Sequence, residues 1–309
     1  MAGACMNDGL LLVDKPFGLT SFDVVYRVRR RLSESRVGHA GTLDPLATGL
    51  LPVLLGRTTP LLRFLPAEPK VYRVVARFGI ATASGDAETE PVEICDPGSA
   101  PPPGWDQAVA SHQGRLSLPV PRFAAVKVEG RPLYRYSRQG ADVEIPERIM
   151  EVHKLTADPS GWPWVLMEMH TAGGTYVRAI VESLGRRTGL PAHVASLRRL
   201  AVGPWSIEDA CTLDQWDDES LPAGSFIPLS RALGLPVLTL DSENSRHVSF
   251  GRLPERVLPS SGVCLEPGEP FLFVDSQGEA LAVAKSDDGW REDTLPPRCH
   301  FERVLTGPQ

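Results

Sequence analysis

The sequence predicts a folded protein of mixed α and β structure, on three observations. Residues 71–78 alternate apolar and polar with period two, residues 22–32 and 175–188 carry apolar side chains at helical spacing, and the composition is that of an ordinary globular chain: 42% hydrophobic and 23% charged over 309 residues. At roughly 150 residues per domain, this length suggests about two domains. The apolar run at 10–13 reads as a short buried strand. Lys15-Pro16-Phe17-Gly18 reads as a turn, and Ser21 as the N-cap of a helix over 22–32. In that helix Phe22, Val25, Val28 and Leu32 form the predicted buried stripe, with Arg27, Arg30 and Arg31 facing outward. The 71–78 strand places Tyr72, Val74, Ala76 and Phe78 on one face and Arg73 and Arg77 on the other. Residues 91–104 are proline-rich and are expected to form a loop, with order resuming near Trp105. A strand at 164–170 is followed by the Gly173-Gly174 turn and a helix that ends at Gly189. Beyond Gly224 short β-like runs at 271–274 and 280–284 suggest a small C-terminal β domain.

Net charge is −6, but the charge is unevenly distributed. Residues 1–80 hold 11 Lys and Arg against 6 Asp and Glu, and residues 111–200 hold 13 against 8; residues 81–110 hold none against 6, and residues 201–309 hold 8 against 18. Two basic segments could jointly dock a polyanion, although a solvated mixed surface explains the same asymmetry. No apolar stretch approaches the roughly 20 residues a bilayer span requires, so no membrane partner is expected. Met1–Asn7 shows no export signal, and five widely spaced cysteines offer neither a CxxC pair nor a zinc cluster. A cytoplasmic protein with reduced thiols is expected. No phosphate-loop or dinucleotide fingerprint appears, and the seven histidines show no ligand spacing, so neither a metal nor a nucleotide cofactor is expected. Nothing indicates an oligomer.

The densest cluster of chemically special residues is Gly38-His39-Ala40-Gly41-Thr42-Leu43-Asp44-Pro45-Leu46-Ala47-Thr48-Gly49-Leu50. Its glycines permit close backbone approach to a ligand. Asp44 followed by Pro45 is also a good N-cap and N1 pair for a short helix, and His39 alone could be an ordinary loop histidine. Downstream, Arg178 neighbours the apolar stripe of its helix and could turn inward, where it would need a carboxylate. Asp44 is a plausible partner, either as a structural ion pair or as a group held ionised with a lowered pKa.

At these residues the chain resembles the TruB family of bacterial tRNA pseudouridine synthases. The resemblance rests on Leu11-Leu12-Val13-Asp14-Lys15-Pro16-Phe17-Gly18-Leu19-Thr20-Ser21, on the 38–51 segment, on Gly174-Thr175-Tyr176-Val177-Arg178, and more weakly on Val194-Ala195-Ser196-Leu197-Arg198-Arg199. It implies an α/β (α+β) pseudouridine synthase fold, with a mixed, largely antiparallel central sheet flanked by helices. It further implies a catalytic domain over 1–232 with an excursion around 81–110, and a small β-rich PUA-like domain over 233–309. Asp44 would be the catalytic aspartate, Tyr72 the active-site aromatic and Arg178 the partner of Asp44. Tyr176 and Leu197 would line the pocket, His39 would contact RNA near the target, and Lys15 and Pro16 would be structural supports. Charge suggests Arg27, Arg30, Arg31 and Lys127 as phosphate contacts. Ala172-Gly173 and Phe123-Ala124-Ala125-Val126-Lys127 depart from the family's usual residues, and the acidic balance of 201–309 argues against strong phosphate contact there.

The implied activity is conversion of uridine 55 in the tRNA T-loop to pseudouridine, without a cofactor, with contacts to the T-loop and acceptor region. Asp44 would attack or stabilise C1′ of a flipped-out nucleotide, and Tyr72 would stack on its base. Two alternatives remain at this level. A non-catalytic RNA-binding or tRNA-folding protein could share the fold, and a glycosidase would want two flanking carboxylates where the motif offers one.

Overall fold

In a computed structural model, residues 8–139, 141, 143–214, 224–258, 263–291 and 295–305 are described. Met1–Asn7 and Cys5 lie outside them. The chain runs β1 (Gly9–Lys15), α1 (Ser21–Leu32), β2 (Val37–His39), β3 (Thr48–Leu55), a 3-10 segment (Gly56–Phe64), β4 (Lys70–Phe78), β5 (Ile80–Thr82), β6 (Pro91–Ile94) and α2 (Trp105–Ala110). It continues with β7 (Gly114–Pro119), β8 (Lys127–Val128), β9 (Arg131–Pro132), α3 (Leu133–Arg138), β10 (Glu147–Asp158), β11 (Trp164–Thr171), α4 (Val177–Thr188), β12 (Ala192–Val202) and β13 (Trp205–Ser206). A large sheet has the order β14-β1-β3-β12-β4-β11-β10-β7, where β14 is Phe226–Pro228, with β2 on β3 and β13 on β12. Among the described residues its pairings are antiparallel except β3 with β12, where Arg198 lies opposite Thr48 and Arg199 opposite Gly49. The expected mixed, largely antiparallel sheet is therefore present.

β1 shows why the run at 10–13 does not alternate in polarity. Leu11 and Val13 enter the cluster shared with α1, α2 and α4, whereas Leu10 and Leu12 enter a second cluster on the opposite face. That second face is covered by α5 (Leu229–Ala232) and by Leu272, Val274 and Val283 of a four-stranded sheet. A strand buried on both faces needs apolar side chains at every position. The smaller sheet has the order β15-β17-β18-β20, built from β15 (Val237–Thr239), β17 (Pro270–Val274), β18 (Ala280–Ser286) and β20 (Cys299–Val304). β16 (Cys264–Leu265) pairs with β19 (Trp290–Arg291) beside it, and α6 (Ser242–Ser249) packs on β18.

Two sequence expectations need correction. The α1 cap is Thr20, whose side chain accepts from the Asp23 amide while Asp23 accepts from the Thr20 amide, a capping box that starts the helix one residue early. Ser21 points inward instead, its hydroxyl bonded to the Leu43 backbone. That sets the helix phase: Ser21, Val24, Val25 and Val28 are buried, Leu32 is half-buried, and Phe22 is 65% exposed. Each valine so buried stabilises the fold by about 1.5–3 kcal/mol relative to exposure. Arg27, Arg30 and Arg31 face outward as expected. The second correction concerns residues 91–104, which are not all loop: β6 pairs with β5 as a hairpin. Order resumes at Trp105, whose ring meets Phe78 edge to face at 5.1 Å and ties α2 to the end of β4.

Gly49 is where β3 and β12 touch. Its φ is +103°, and a side chain there would begin 2.2 Å from the Arg199 carbonyl oxygen. Backbone this close tolerates only glycine. Gly49→Ala is expected to cost at least about 2 kcal/mol in urea unfolding; an unchanged midpoint would contradict this packing.

Candidate active site

The 40–47 loop bridges β2 and β3 with no helix in it, so Asp44 is not an N-cap and its side chain is left for other partners. Its neighbours are pinned from behind. Leu43 exchanges two bonds with the Ser21 hydroxyl, at 2.8 and 3.1 Å. The Pro45 carbonyl accepts from the Gly18 amide at 2.9 Å and from Lys15 Nζ at 3.4 Å. Lys15 is fully buried and also donates to the carbonyls of Pro16 and Leu19, while the Pro16 ring itself is exposed. Burial lowers the Lys15 pKa to about 8, against the opposing pull of Asp44. The β1–α1 turn therefore holds the backbone on both sides of Asp44.

In front of it, α4 supplies Arg178. Arg178 Nη2 lies 2.9 Å from Asp44 Oδ2, and Nη1 lies 3.4 Å from Asp86 Oδ2 and donates to the Ser84 carbonyl at 2.8 Å. Nη2 also donates to the Phe123 carbonyl at 3.3 Å. Arg178 is 5% exposed and sits in the first turn of α4, where the helix dipole disfavours a cation. Two carboxylates and two carbonyls compensate it. The Asp44 carboxyl is 37% exposed at the floor of a cavity. Burial raises its pKa, opposed by Arg178 and reinforced by Asp86. The depressed pKa expected from the sequence is thus corrected: desolvation outweighs the guanidinium.

The cavity is about 280 Å³ and is lined by Asp44, Tyr72, Tyr176, Arg178, Leu197, Lys70, Arg199 and the backbone of 41–43, among others. That is near the small end of ligand pockets, roughly 300–1,000 Å³, and suits one nucleoside-sized group. On the same cavity, β4 and β12 present Tyr72 and Arg199, which are register partners. Arg199 is 1% exposed, donates to the carbonyls of Leu50 at 2.7 Å and Gly41 at 3.0 Å, and has Tyr72 as an electrostatic neighbour.

The structure thus brings together Asp44, Tyr72, Tyr176, Arg178 and Leu197. His39 stands outside the cavity wall on β2; burial and the Arg199 charge lower its pKa, and its Nδ1 is buried without a hydrogen-bond partner among the described residues. Arg27, Arg30 and Arg31 line a separate depression of about 540 Å³ with Tyr26, Asp23 and Asp214, and Lys127 lies exposed on the β8–β9 hairpin. Sequence reasoning missed Asp86, Lys70 and Arg199. Arg199 could have been found, since Leu197 and Arg199 share a strand face. Asp86 sits among the acidic residues of the 81–110 excursion and carries no local sign of its role. Among the described residues no helix is long and apolar enough to cross a membrane, no cluster of three metal-ligating side chains occurs, and Cys95, Cys211, Cys264 and Cys299 are not joined in disulfides.

Comparison with known proteins places this geometry in a class. A chain of the Cbf5-Nop10-Gar1 complex superimposes with a TM-score of 0.67 at 20% identity, covering 97% of this chain and 86% of that one. A chain of the archaeal box H/ACA sRNP Nop10-Cbf5 complex gives 0.68 at 21%, covering 98% and 87%. The fold is theirs. The model of the TruB family pseudouridylate synthase N-terminal domain matches residues 29–177. The tRNA pseudouridine synthase B of Syntrophobacter fumaroxidans is 40% identical over 79% of this chain and 82% of its own length. That of Geobacter sulfurreducens is 38% identical over 93% and 96%. The chain belongs to the TruB family of pseudouridylate synthases.

Asp44 should titrate above the ordinary aspartate value of 3.8. Removing the like charge with Asp86→Asn should move that midpoint down, as read by carboxyl carbon NMR. A midpoint that stays put or rises would contradict the arrangement.

Proposed function

We propose that the chain isomerises uridine 55 in the T-loop of tRNA to pseudouridine, with Asp44 as the catalytic group. The supporting observation is the Asp44–Arg178 pair at 2.9 Å on the wall of a cavity that also carries Tyr72. The reaction breaks C1′–N1 and makes C1′–C5 with no net change in atoms, so a positioned carboxylate and a closed pocket suffice. Asp44 attacks C1′ or stabilises the positive charge that develops on the sugar. Arg178 orients it through one nitrogen while the other is held by Asp86 and Ser84. Tyr72 provides the ring on which the base stacks, and Leu197 and Tyr176 keep the detached uracil from diffusing away. Extruding the target nucleotide costs a few kcal/mol, which RNA contacts must offset. Arg27, Arg30, Arg31 and Lys127 are outward-facing candidates for that role, and His39 is a further one. Lys15 and Pro16 serve as supports beneath the Asp44 loop.

We place the boundary of the catalytic domain at 232 and assign 233–309 to a small PUA-like domain. A tRNA substrate and free thiols fit a cytoplasmic location. The carboxylates near Asp44 are Asp86, 2% exposed and engaged by Arg178, Ser84 and the Glu88 amide, and Glu88, which is bonded to the Leu46 backbone; the glycosidase alternative would need one of them free to flank the scissile bond.

Asp44→Asn is expected to reduce proton release from C5-tritiated T-loop RNA by at least about 10³-fold, with RNA affinity within about threefold of wild type. Retained turnover in the variant would remove Asp44 from the chemistry. No release by wild type would favour a binding protein, and free uracil a hydrolase.

A further inference from the structure

The cavity is electrically polarised in a way the Asp44 chemistry does not use. In the same cavity as the carboxylate, Arg199 Nη1 and Lys70 Nζ converge on Gly41, standing 3.3 and 3.6 Å from the point where a side chain at that residue would begin. Arg199 is fixed by its backbone acceptors, whereas Lys70 is half-buried and has no ion-pair partner among the described residues. Glu68 attracts it only at longer range, and one Glu68 oxygen accepts the Gly173 amide at 2.8 Å. Burial and the neighbouring guanidinium both lower the Lys70 pKa. Two adjacent cations with no carboxylate in ion-pair contact among the described residues form a site for negative charge. Because both flank Tyr72 on a wall of a cavity sized for one nucleoside, that charge belongs to the base rather than to a backbone phosphate.

We propose that Lys70, backed by Arg199, receives the negative charge of the uracil as it leaves C1′, and is a catalytic residue of the bond-breaking step. This rests on the isomerase reading above. When C1′–N1 breaks, the electron pair stays with the base, giving an anion spread over N1, O2 and O4, while C1′ bonds to Asp44 or carries positive charge. C5 of that anion then bonds to C1′, the C5 proton leaves to a base, and N1 takes up a proton, so the product is neutral and isomeric with the substrate. A cation within the cavity lowers the energy of the anion more than that of the bound nucleotide, which is the condition for acceleration.

The test compares the full-length protein with Lys70→Met and Lys70→Arg in single turnover, on T-loop RNA carrying uridine or 5-fluorouridine at the target, scored as loss of the starting nucleoside. Fluorine stabilises the departing anion by itself. Lys70→Met should slow the uridine reaction at least about 10-fold but the 5-fluorouridine reaction by no more than about threefold, with RNA affinity nearly unchanged. Lys70→Arg should recover most of the rate. Equal slowing with both bases, which a structural role would give, or lost affinity with an unchanged rate, which a phosphate contact would give, would overturn the proposal. Failure of wild type to convert uridine would instead remove the isomerase reading.

Discussion

The site is organised around one desolvated guanidinium. Arg178 sits almost without solvent at the start of a helix whose dipole opposes it, and a cation there requires nearby negative charge and acceptors. Asp86 and the Ser84 carbonyl hold Nη1, and Asp44 and the Phe123 carbonyl hold Nη2. Of these four partners only Asp44 lines the cavity. The same contact that makes the arginine tolerable fixes where the Asp44 carboxylate points. It also links three segments distant in sequence: the 40–47 loop, the start of the acidic excursion and the strand-poor stretch after β7.

The loop bearing Asp44 is held with little freedom. Ser21 fastens Leu43, Lys15 and Gly18 fasten Pro45, and Arg199 fastens Gly41. A side chain carried by backbone pinned on both flanks has its direction set before any ligand arrives, the condition under which fixed charges accelerate reactions. Lys15 illustrates the cost. Its charged form is penalised by burial, so that its pKa falls to about 8, below the ordinary value of 10.5. The unfolded chain binds that proton more tightly, and the penalty on the fold is fully present below about pH 8 and is relieved as pH rises toward 10.5.

Much of this was legible in the amino-acid order, for identifiable reasons. Alternation in β4 put Tyr72 on the buried face, and the demand of an inward arginine for a carboxylate paired Arg178 with Asp44. The phase of α1 was not legible, because it depends on a tertiary bond between Ser21 and Leu43 that outweighs the apolar spacing of Phe22 and Leu32. Asp86 was hidden for a similar reason: nothing adjacent in sequence reveals that the 81–110 segment begins by folding under α4. The direction of the Asp44 pKa is not legible in the sequence, because spacing reveals a partner charge but not the depth of burial that competes with it. Arg199 lay in plain view, two positions from Leu197, but a strand register was needed to set it against Tyr72.

The most direct measurement is a crystal structure of the Asp44→Asn protein bound to a T-loop RNA. The target nucleotide should be swung out of its loop, its C1′ in contact with the side chain at 44 and its base against the Tyr72 ring, with Arg178 still bonded to residue 44. A nucleotide seated elsewhere, or an Arg178 turned away from residue 44 in the complex, would contradict it.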